Sequence, residues 1–465
     1  MSISVDFLRF KASLFSRNFA PEFQNNRINM TRFLLVLTWL TMMFAGNASA
    51  QIQRKLTVDE LFNLVEQNSK TLKEQKTGVE VANAGVAVAK SQRLPDINAS
   101  LSASYNGNAL LMNRHFGEVH GLHSPHFGNS FALEAQQVVY AGGAIDAGIK
   151  MAELQKEQAG LATDLQRENL RFIALGQYLD LAKIANREEV LKSNIALTQK
   201  LIDNINEKHQ QGVALKNDVT RYELQMQTLR LNLTKLQNTR SILNHQLCNT
   251  LGLDTNTYIE TDKTIEQGAF AKDGEGAWQS EALLGAQSVK MAEVGKNIAD
   301  QQLKLAKSAM LPSVAVVAAN KFDGPIMFEL PPVDKNLNVW YVGVGVKYSL
   351  SSLFKDNKKV RQAKIATRKA DEARSVAVET LNNNVQQAYT DYLQSYVELE
   401  TQQKNVELAQ QNYDVINDRY LNQLALITDM LDASNTKLDA ELSVADARIN
   451  IAYAYYKMKF IAGKL

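Results

Sequence analysis

The chain is written twice, and this constrains its fold more than any other feature. Ala89-Lys90-Ser91-Gln92-Arg93-Leu94-Pro95-Asp96-Ile97 returns as Ala306-Lys307-Ser308-Ala309-Met310-Leu311-Pro312-Ser313-Val314. Further on, one constant offset pairs Tyr178 and Asp180 with Tyr389 and Asp391, and Asn194 and Leu197 with Asn405 and Leu408. It also pairs Ala214, Leu215 and Asp218 with Ala425, Leu426 and Asp429, and Gly252 with Gly463. Two copies of roughly two hundred residues are too few and too long for a solenoid of small repeats. Each copy reads helix, strand, strand, very long helix, second helix.

Proline placement supplies the coarse map. The seven prolines leave two blocks free, between His126 and Leu311 and after Pro332. Because proline breaks helix interiors, those blocks are open to long helices. Their periodicity agrees. From Leu381 the positions Val385, Ala388, Tyr392, Ser395, Leu399, Gln402, Val406, Ala409, Tyr413 and Ile416 follow alternating four- and three-residue steps. Tyr222, Met226, Leu229, Leu233, Leu236, Leu243 and Leu247 do much the same in the first copy. This is a heptad-like seam with small and amide residues in it, which suits a layered helical wall as well as a coiled coil. Helical hairpins are expected over 143–252 and 353–463, turning at Gly212-Val213 and Gln423-Leu424. Their first arms would each be ~100 Å long.

Around the prolines the period changes to two. Strands are expected at about 95–107, 127–140, 312–322 and 338–350, joined in pairs by long loops at about 106–127 and 321–338. Ile97, Ala99, Leu101, Ala103 and Tyr105 alternate with Asn98, Ser100, Ser102 and Ser104. Trp340, Val342, Val344, Val346 and Tyr348 alternate with Tyr341, Gly343, Gly345 and Lys347. An apolar face bounded by Trp340 and Tyr348 suits a membrane strand with aromatic residues at both interfaces; a water-soluble hairpin on a core is the other reading. Four strands cannot close a barrel, and open edges are not tolerated in lipid. Membrane strands here therefore require several chains to share one barrel, as a cyclic oligomer.

Residues 30–50 read as a secretory signal: Met30-Thr31-Arg32, an apolar run from Phe33 to Ala45, and a small-residue cleavage site at Ala48-Ser49-Ala50. Residues 1–29 then look like a misassigned start, and Gln51 the mature N-terminus. After residue 50 no stretch approaches the roughly 18 uncharged apolar residues of a transmembrane helix. The single cysteine, Cys248, excludes an intramolecular disulfide framework and fits a small buried residue. A net charge of +2 points neither to nucleic acid nor to an acidic partner.

In these features the chain resembles the TolC family of outer-membrane efflux and secretion channels. The resemblance runs from about Leu56 to Leu465 and rests on three things: the duplicated element order, the Lys-Ser-x-x-Leu-Pro strand entrances, and two tip motifs. The motifs are Gln211-Gly212-Val213-Ala214-Leu215-Lys216-Asn217-Asp218-Val219 and Tyr420-Leu421-Asn422-Gln423-Leu424-Ala425-Leu426-Ile427-Thr428-Asp429-Met430-Leu431-Asp432. The resemblance implies a mainly α protein with membrane β-strands. A homotrimer would build one twelve-stranded β-barrel in outer-membrane lipid, continued by a long periplasmic α-helical barrel. The domains would be repeats over 51–253 and 280–465, with an equatorial segment at 254–279 between them. It also implies a periplasmic adaptor and an inner-membrane pump as partners, contacted at tips formed by Gly212, Val213, Ala214, Leu215, Leu424, Ala425 and Leu426. An acidic ring at the closed mouth maps onto Asp429 and Asp432, and tip ties onto Asp218, Asn217 and Tyr420. The sequence departs from the family pattern at Ala425, where a basic residue is expected, and at Gln423, where the first copy has glycine. Asp429 has a second reading, as an ordinary acid at a helix N-terminus.

Four of the six histidines, His115, His120, His123 and His126, fall in the first strand-joining loop. Imidazole-rich loops can hold zinc, copper or nickel, but a solvated surface loop fits as well. No nucleophile elbow, phosphate loop or HExxH motif occurs, so neither an enzyme nor a cofactor is expected. The expected function is a passive exit duct of a tripartite efflux pump or a type I secretion system. The rivals are a periplasmic adaptor, which would have one hairpin flanked by small β domains, and a structural coiled-coil protein.

Overall fold

Glycine marks the end of each copy in the same way. Gly252 and Gly463 both lie in the left-handed region, at φ 65° and 67°, and each closes a return helix. A Cβ at Gly252 would meet the Asn68 side chain at 2.7 Å, and one at Gly463 would meet the Gly285 backbone at 2.7 Å. Asn68 and Gly285 are themselves the last residues of two short helices, so both copies close on the same local packing. The computed structural model describes residues 52–266, 270 and 273–465. The signal-peptide reading of 30–50 and the upstream stretch 1–29 lie outside the described residues.

The first copy runs β1 (Ile52–Leu56), α1 (Val58–Asn68), α2 (Lys70–Ser91), β2 (Asp96–Tyr105), β3 (Ala109–Met112), β4 (Val119–Leu122), β5 (Phe127–Tyr140), α3 (Ala144–Gln210) and α4 (Lys216–Leu251). The second runs β6 (Thr257–Thr261), a short 3-10 turn (Lys263–Glu266), α5 (Glu275–Gly285), α6 (Gln287–Ser308), β7 (Ser313–Gly324), β8 (Leu337–Lys347), α7 (Ser352–Leu421) and α8 (Ile427–Ile461). The structure differs from the expected loops in two ways. Within 106–127 lies a small hairpin, β3 paired with β4 from Ala109 opposite Leu122 to Met112 opposite Val119. β7 runs on to Gly324, because Phe322 and Asp323 pair with Asn338 and Leu337.

α3 has 67 residues and α7 has 70, each on the order of 100 Å of helix. Isolated helices draw little stability from propensity alone, so tertiary burial must hold these. The seam provides it. On α7, Leu381, Val385, Ala388, Tyr392, Ser395, Ala409 and Tyr413 are buried; on α4, so are Tyr222, Met226, Leu229 and Leu247. α3 and α4 form one antiparallel hairpin, α7 and α8 the other, and α3 packs against α8 to join them. Polar ties reinforce that joint: Arg187 pairs with Asp446, and Asn194 donates to Glu441 at 2.9 Å.

Midway along the helices the packing thickens into a belt. There Ala174, Leu175, Tyr178, Leu179, Leu181 and Ala182 of α3 are buried on nearly every side, against Leu61, Val65, Leu247, Leu251, Ile259 and Ile449. β1 and β6 form a two-stranded sheet in this belt. The Tyr178 hydroxyl donates to the Leu56 carbonyl at 2.7 Å and accepts from the Asp262 N–H at 2.6 Å. One phenol thus fastens both ends of the belt to the long helix. Burial pushes it up to about 12. Cys248 is buried here too, and its thiol donates to the Thr257 carbonyl at 3.3 Å.

Candidate functional site

β2, β5, β7 and β8 form one antiparallel sheet in that order, so each copy contributes a strand pair and the pairs join at β5–β7. Residues directly opposite across strands share a face. One row reads Ile97, Ala135, Ala318, Val342, and the next reads Ala99, Leu133, Asn320, Trp340. Apart from Asn129, Gln137, Asn320 and Asn338 that face is apolar, and nothing among the described residues covers it. Trp340 is 74% exposed and Val342, Val344 and Val346 between 68% and 69%. Tyr140 and Tyr348 lie at its helix end, and Tyr105, Phe127 and Trp340 at its loop end. Tyr348 falls one residue beyond β8, which stops at Lys347, so it flanks the strand rather than belonging to it. Trp340 to Tyr348 spans about 27 Å of extended chain, close to the apolar band of an outer-membrane strand.

The opposite face is polar. Lys321 pairs with Glu134 at 3.1 Å, and the Ser130 hydroxyl donates to Asp323. Ser100 and Ser102 of β2 share that face with them. Here Ala132 and Ala319 are 9% and 8% exposed, beside the longer Lys321 and Glu134 side chains. β2 and β8, at the two edges, are exposed along almost their whole length, and their outer edges are unpaired among the described residues.

At the far end of the helices the chain reverses twice. α3 stops at Gly212, where φ is 76°, and the Val213 N–H returns to the Lys208 carbonyl at 2.8 Å. α7 stops at Gln423, where φ is 63°, and the Leu424 N–H returns to the Arg419 carbonyl at 2.7 Å. The glycine expected at the second tip is absent, yet the turn is the same; glutamine takes the left-handed conformation at a cost of about 1–2 kcal/mol. Where the family pattern expects a basic residue at Ala425, Arg419 donates instead to the Leu424 carbonyl at 3.4 Å.

Asp218 and Asp429 occupy the third position of α4 and α8. Their carboxylates accept the N–H groups of Leu215 and Leu426 at 3.4 and 3.1 Å. The helix-start reading of Asp429 is thus present in the geometry. Asp429, Asp432 and Asn217 are exposed, and neither acid forms an ion pair among the described residues. Tyr420 packs on a core shared by both tips, with Ile202, Ile205, Val219, Tyr222, Ile427 and Met430. Burial first, then the Asp218 charge, push its phenol up to about 12. Asp218 and Tyr420, from different hairpins, are therefore brought together. Gln225 and Asn435 add a 2.6 Å hydrogen bond between the same hairpins. Of the proposed adaptor contacts, Gly212, Val213, Leu215, Leu424 and Leu426 are exposed, while Ala214 and Ala425 are half-buried.

The four loop histidines do not converge. His115 and His120 are exposed on and beside the β3–β4 hairpin. His126 stacks on Tyr105 with ring centroids 5.2 Å apart, and its Nδ1 meets the Asn106 carbonyl at 2.8 Å. His123 meets His126 edge-on. Among the described residues no group of three or more His, Cys, Asp or Glu is placed to hold a metal ion.

A model of the family described as "Outer membrane efflux protein" matches residues 61–253 and 278–464. The chain belongs to the outer membrane efflux protein family. The two matched segments are the two copies. The family places the protein in the outer membrane, as a channel of the efflux class whose helices extend into the periplasm, and the class is a conduit. No curated protein matches by sequence. Among solved structures, the chain is similar to the outer membrane protein VceC of Vibrio cholerae, at 15% identity and a TM-score of 0.72, covering 87% of this chain and 96% of that one. It is similar to the CmeC outer membrane channel of Campylobacter jejuni, at 15% identity and a TM-score of 0.68, covering 88% and 85%. The MtrE outer membrane channel of Neisseria gonorrhoeae, solved in its open state, gives 15% identity and a TM-score of 0.64, covering 88% and 89%. Likeness at these identities is a likeness of fold. Among the described residues no helix is long and apolar enough to cross a membrane.

Proposed function

We propose that the protein is the exit duct of a tripartite efflux pump or type I secretion system, a homotrimer whose three four-stranded sheets close one barrel. The observation that carries this reading is the two-faced sheet with its two open edges. In lipid an unpaired strand edge leaves several backbone groups without partners, so β2 and β8 must each meet another chain. The apolar face then turns to lipid, and the Glu134–Lys321 face lines water. The helices repeat the logic: α4 packs chiefly on α3, and α7 on α8 and α6, and both carry exposed apolar residues, Leu224, Leu231, Val376 and Val397. A neighbouring protomer would cover those residues.

At the tips, Asp429 and Asp432 form the acidic ring, with Asp218, Asn217 and Tyr420 as ties between hairpins. Three copies of each acid around one axis repel one another and attract cations. Opening separates the α7–α8 tip from the α3–α4 tip on engaging a periplasmic adaptor and an inner-membrane pump, which would meet the exposed tip residues. Fractionation tests the reading. The protein is expected in the outer membrane as a detergent-stable trimer that conducts in planar bilayers; a soluble periplasmic monomer would refute it.

A further inference from the structure

The two helices that leave the sheet begin with opposite charge. The first ten residues of α7, Ser352–Arg361, carry four cations, Lys355, Lys358, Lys359 and Arg361, against one acid, Asp356. The first ten of α3, Ala144–Glu153, carry one cation, Lys150, against two acids, Asp146 and Glu153. The strand-to-helix junction therefore does not itself require positive charge. Helix electrostatics opposes it, because the N-terminal end of a helix is the positive end of its dipole and favours acids. Only Lys359 has an ion-pair partner among the described residues, Asp356 at 2.8 Å. Lys355, Lys358 and Arg361 are exposed and unpaired among those residues, and the face of α7 turned to α6 lies elsewhere, at buried Val360 and at Thr367, which donates to the Ala299 carbonyl.

Two further features orient this charge. Helical side chains lean toward the N-terminus of their helix, and the N-terminus of α7 is the end joined to the sheet. The four cations begin within about 14 Å of that end and lean back toward it. Between them and Tyr348 lie Leu350, Leu353 and Phe354, apolar and 70%, 52% and 65% exposed. The apolar band of the sheet thus continues through three exposed apolar residues into a cluster of four cations, three of them unpaired among the described residues. That is the sequence of environments a membrane interface presents from acyl chain to phosphate.

We propose that this segment of α7 binds the headgroups of anionic phospholipids in the periplasmic leaflet. Leu350, Leu353 and Phe354 enter the acyl boundary, and the cations meet lipid phosphates. The inference rests on the reading that the sheet spans the membrane with α7 on the periplasmic side.

The test uses the full-length channel reconstituted in phosphatidylcholine bilayers, with spin-labelled phosphatidylglycerol or spin-labelled phosphatidylcholine as probe. Wild type is expected to prefer phosphatidylglycerol about fivefold or more, with the preference declining in high salt. The variant Lys355→Gln/Lys358→Gln/Lys359→Gln/Arg361→Gln is expected to approach no preference, and Lys355→Arg/Lys358→Arg/Lys359→Arg to retain it. A wild type that conducts in planar bilayers but shows no preference, or a neutralised variant that conducts and keeps it, overturns the lipid site and leaves the channel standing. A wild type that does not insert at all overturns the membrane reading instead. Should the neutralised variant fail to assemble, the salt dependence of the wild-type preference decides.

Discussion

The carboxylates of Asp218 and Asp429 do the same thing 211 residues apart: each accepts the backbone N–H three residues earlier, from Leu215 at 3.4 Å and Leu426 at 3.1 Å. Both start a return helix at a hairpin tip. What differs is the neighbourhood, for only the second copy places another acid, Asp432, three residues on.

That difference separates two roles. Asp429→Ala is expected to lower stability by about 0.5–2 kcal/mol through the lost helix start, whereas Asp432→Ala, exposed and without a cap bond, leaves the melting temperature nearly unchanged. The double variant is expected to lose cation preference in planar bilayers, read as reversal potential under a salt gradient. Unchanged selectivity would remove both residues from the pore lining.

Gln423 pays a conformational cost that Gly212 avoids. Gln423→Gly is expected to stabilise the chain by about 1 kcal/mol, and Gly212→Ala to destabilise it by a similar amount. Thermal unfolding of the two variants side by side measures this. A destabilised Gln423→Gly would mean that the side chain makes a compensating contact.

The two faces of β8 are expected to respond oppositely to charge. Val344→Lys places a cation near the middle of the apolar band and costs about 2–4 kcal/mol per protomer, enough to deplete the assembled trimer in outer-membrane fractions. Tyr341→Lys, on the polar face, is expected to assemble normally. Equal behaviour of the two would contradict the assignment of faces.

Tyr178 and Tyr420 both hold their protons more tightly in the folded chain, each pushed up to about 12 with burial as the leading cause. Their contribution is complete below the unfolded value near 10 and is lost as pH rises through 12. The melting temperature is therefore expected to fall between pH 10 and 12, and to fall less steeply in Tyr178→Phe and Tyr420→Phe. Tyr178→Phe also leaves the Leu56 carbonyl and the Asp262 N–H without their partner, at a cost of about 1–3 kcal/mol. Hydrogen exchange near β1 and β6 is expected to quicken accordingly.

Tyr222 is a further case at the tips. Its hydroxyl is buried without a hydrogen-bond partner among the described residues, in the core shared by the two hairpins. Tyr222→Phe is expected to leave the packed tip as stable or to stabilise it by up to about 1 kcal/mol, while Tyr222→Ala costs about 3–5 kcal/mol through the cavity it opens. A strongly destabilised phenylalanine variant would show that the hydroxyl is satisfied after all.

Much of this was legible along the chain. The four- and three-residue steps through Val385, Ala388, Tyr392 and Ser395 marked the buried seam, because a helix repeats its faces at that interval. The alternation of Trp340, Val342, Val344 and Val346 with Tyr341, Gly343 and Gly345 marked one apolar face, because a strand repeats at two. Absent proline allowed the long helices, and the paired motifs announced the duplication. These are local facts, carried by residues near one another in sequence.

The rest needed the third dimension, since it depends on which distant segments meet. Only the register of β5 against β7 sets Leu133 beside Asn320 and brings Glu134 within 3.1 Å of Lys321, giving the sheet a polar side. Only packing places Tyr178 between Leu56 and Asp262, or Asp218 near Tyr420. The left-handed turn at Gln423 could not be read from its side chain, because glutamine tolerates that backbone only where the surrounding hairpin enforces it. Periodicity determined which faces are apolar; tertiary contact decided what each face meets.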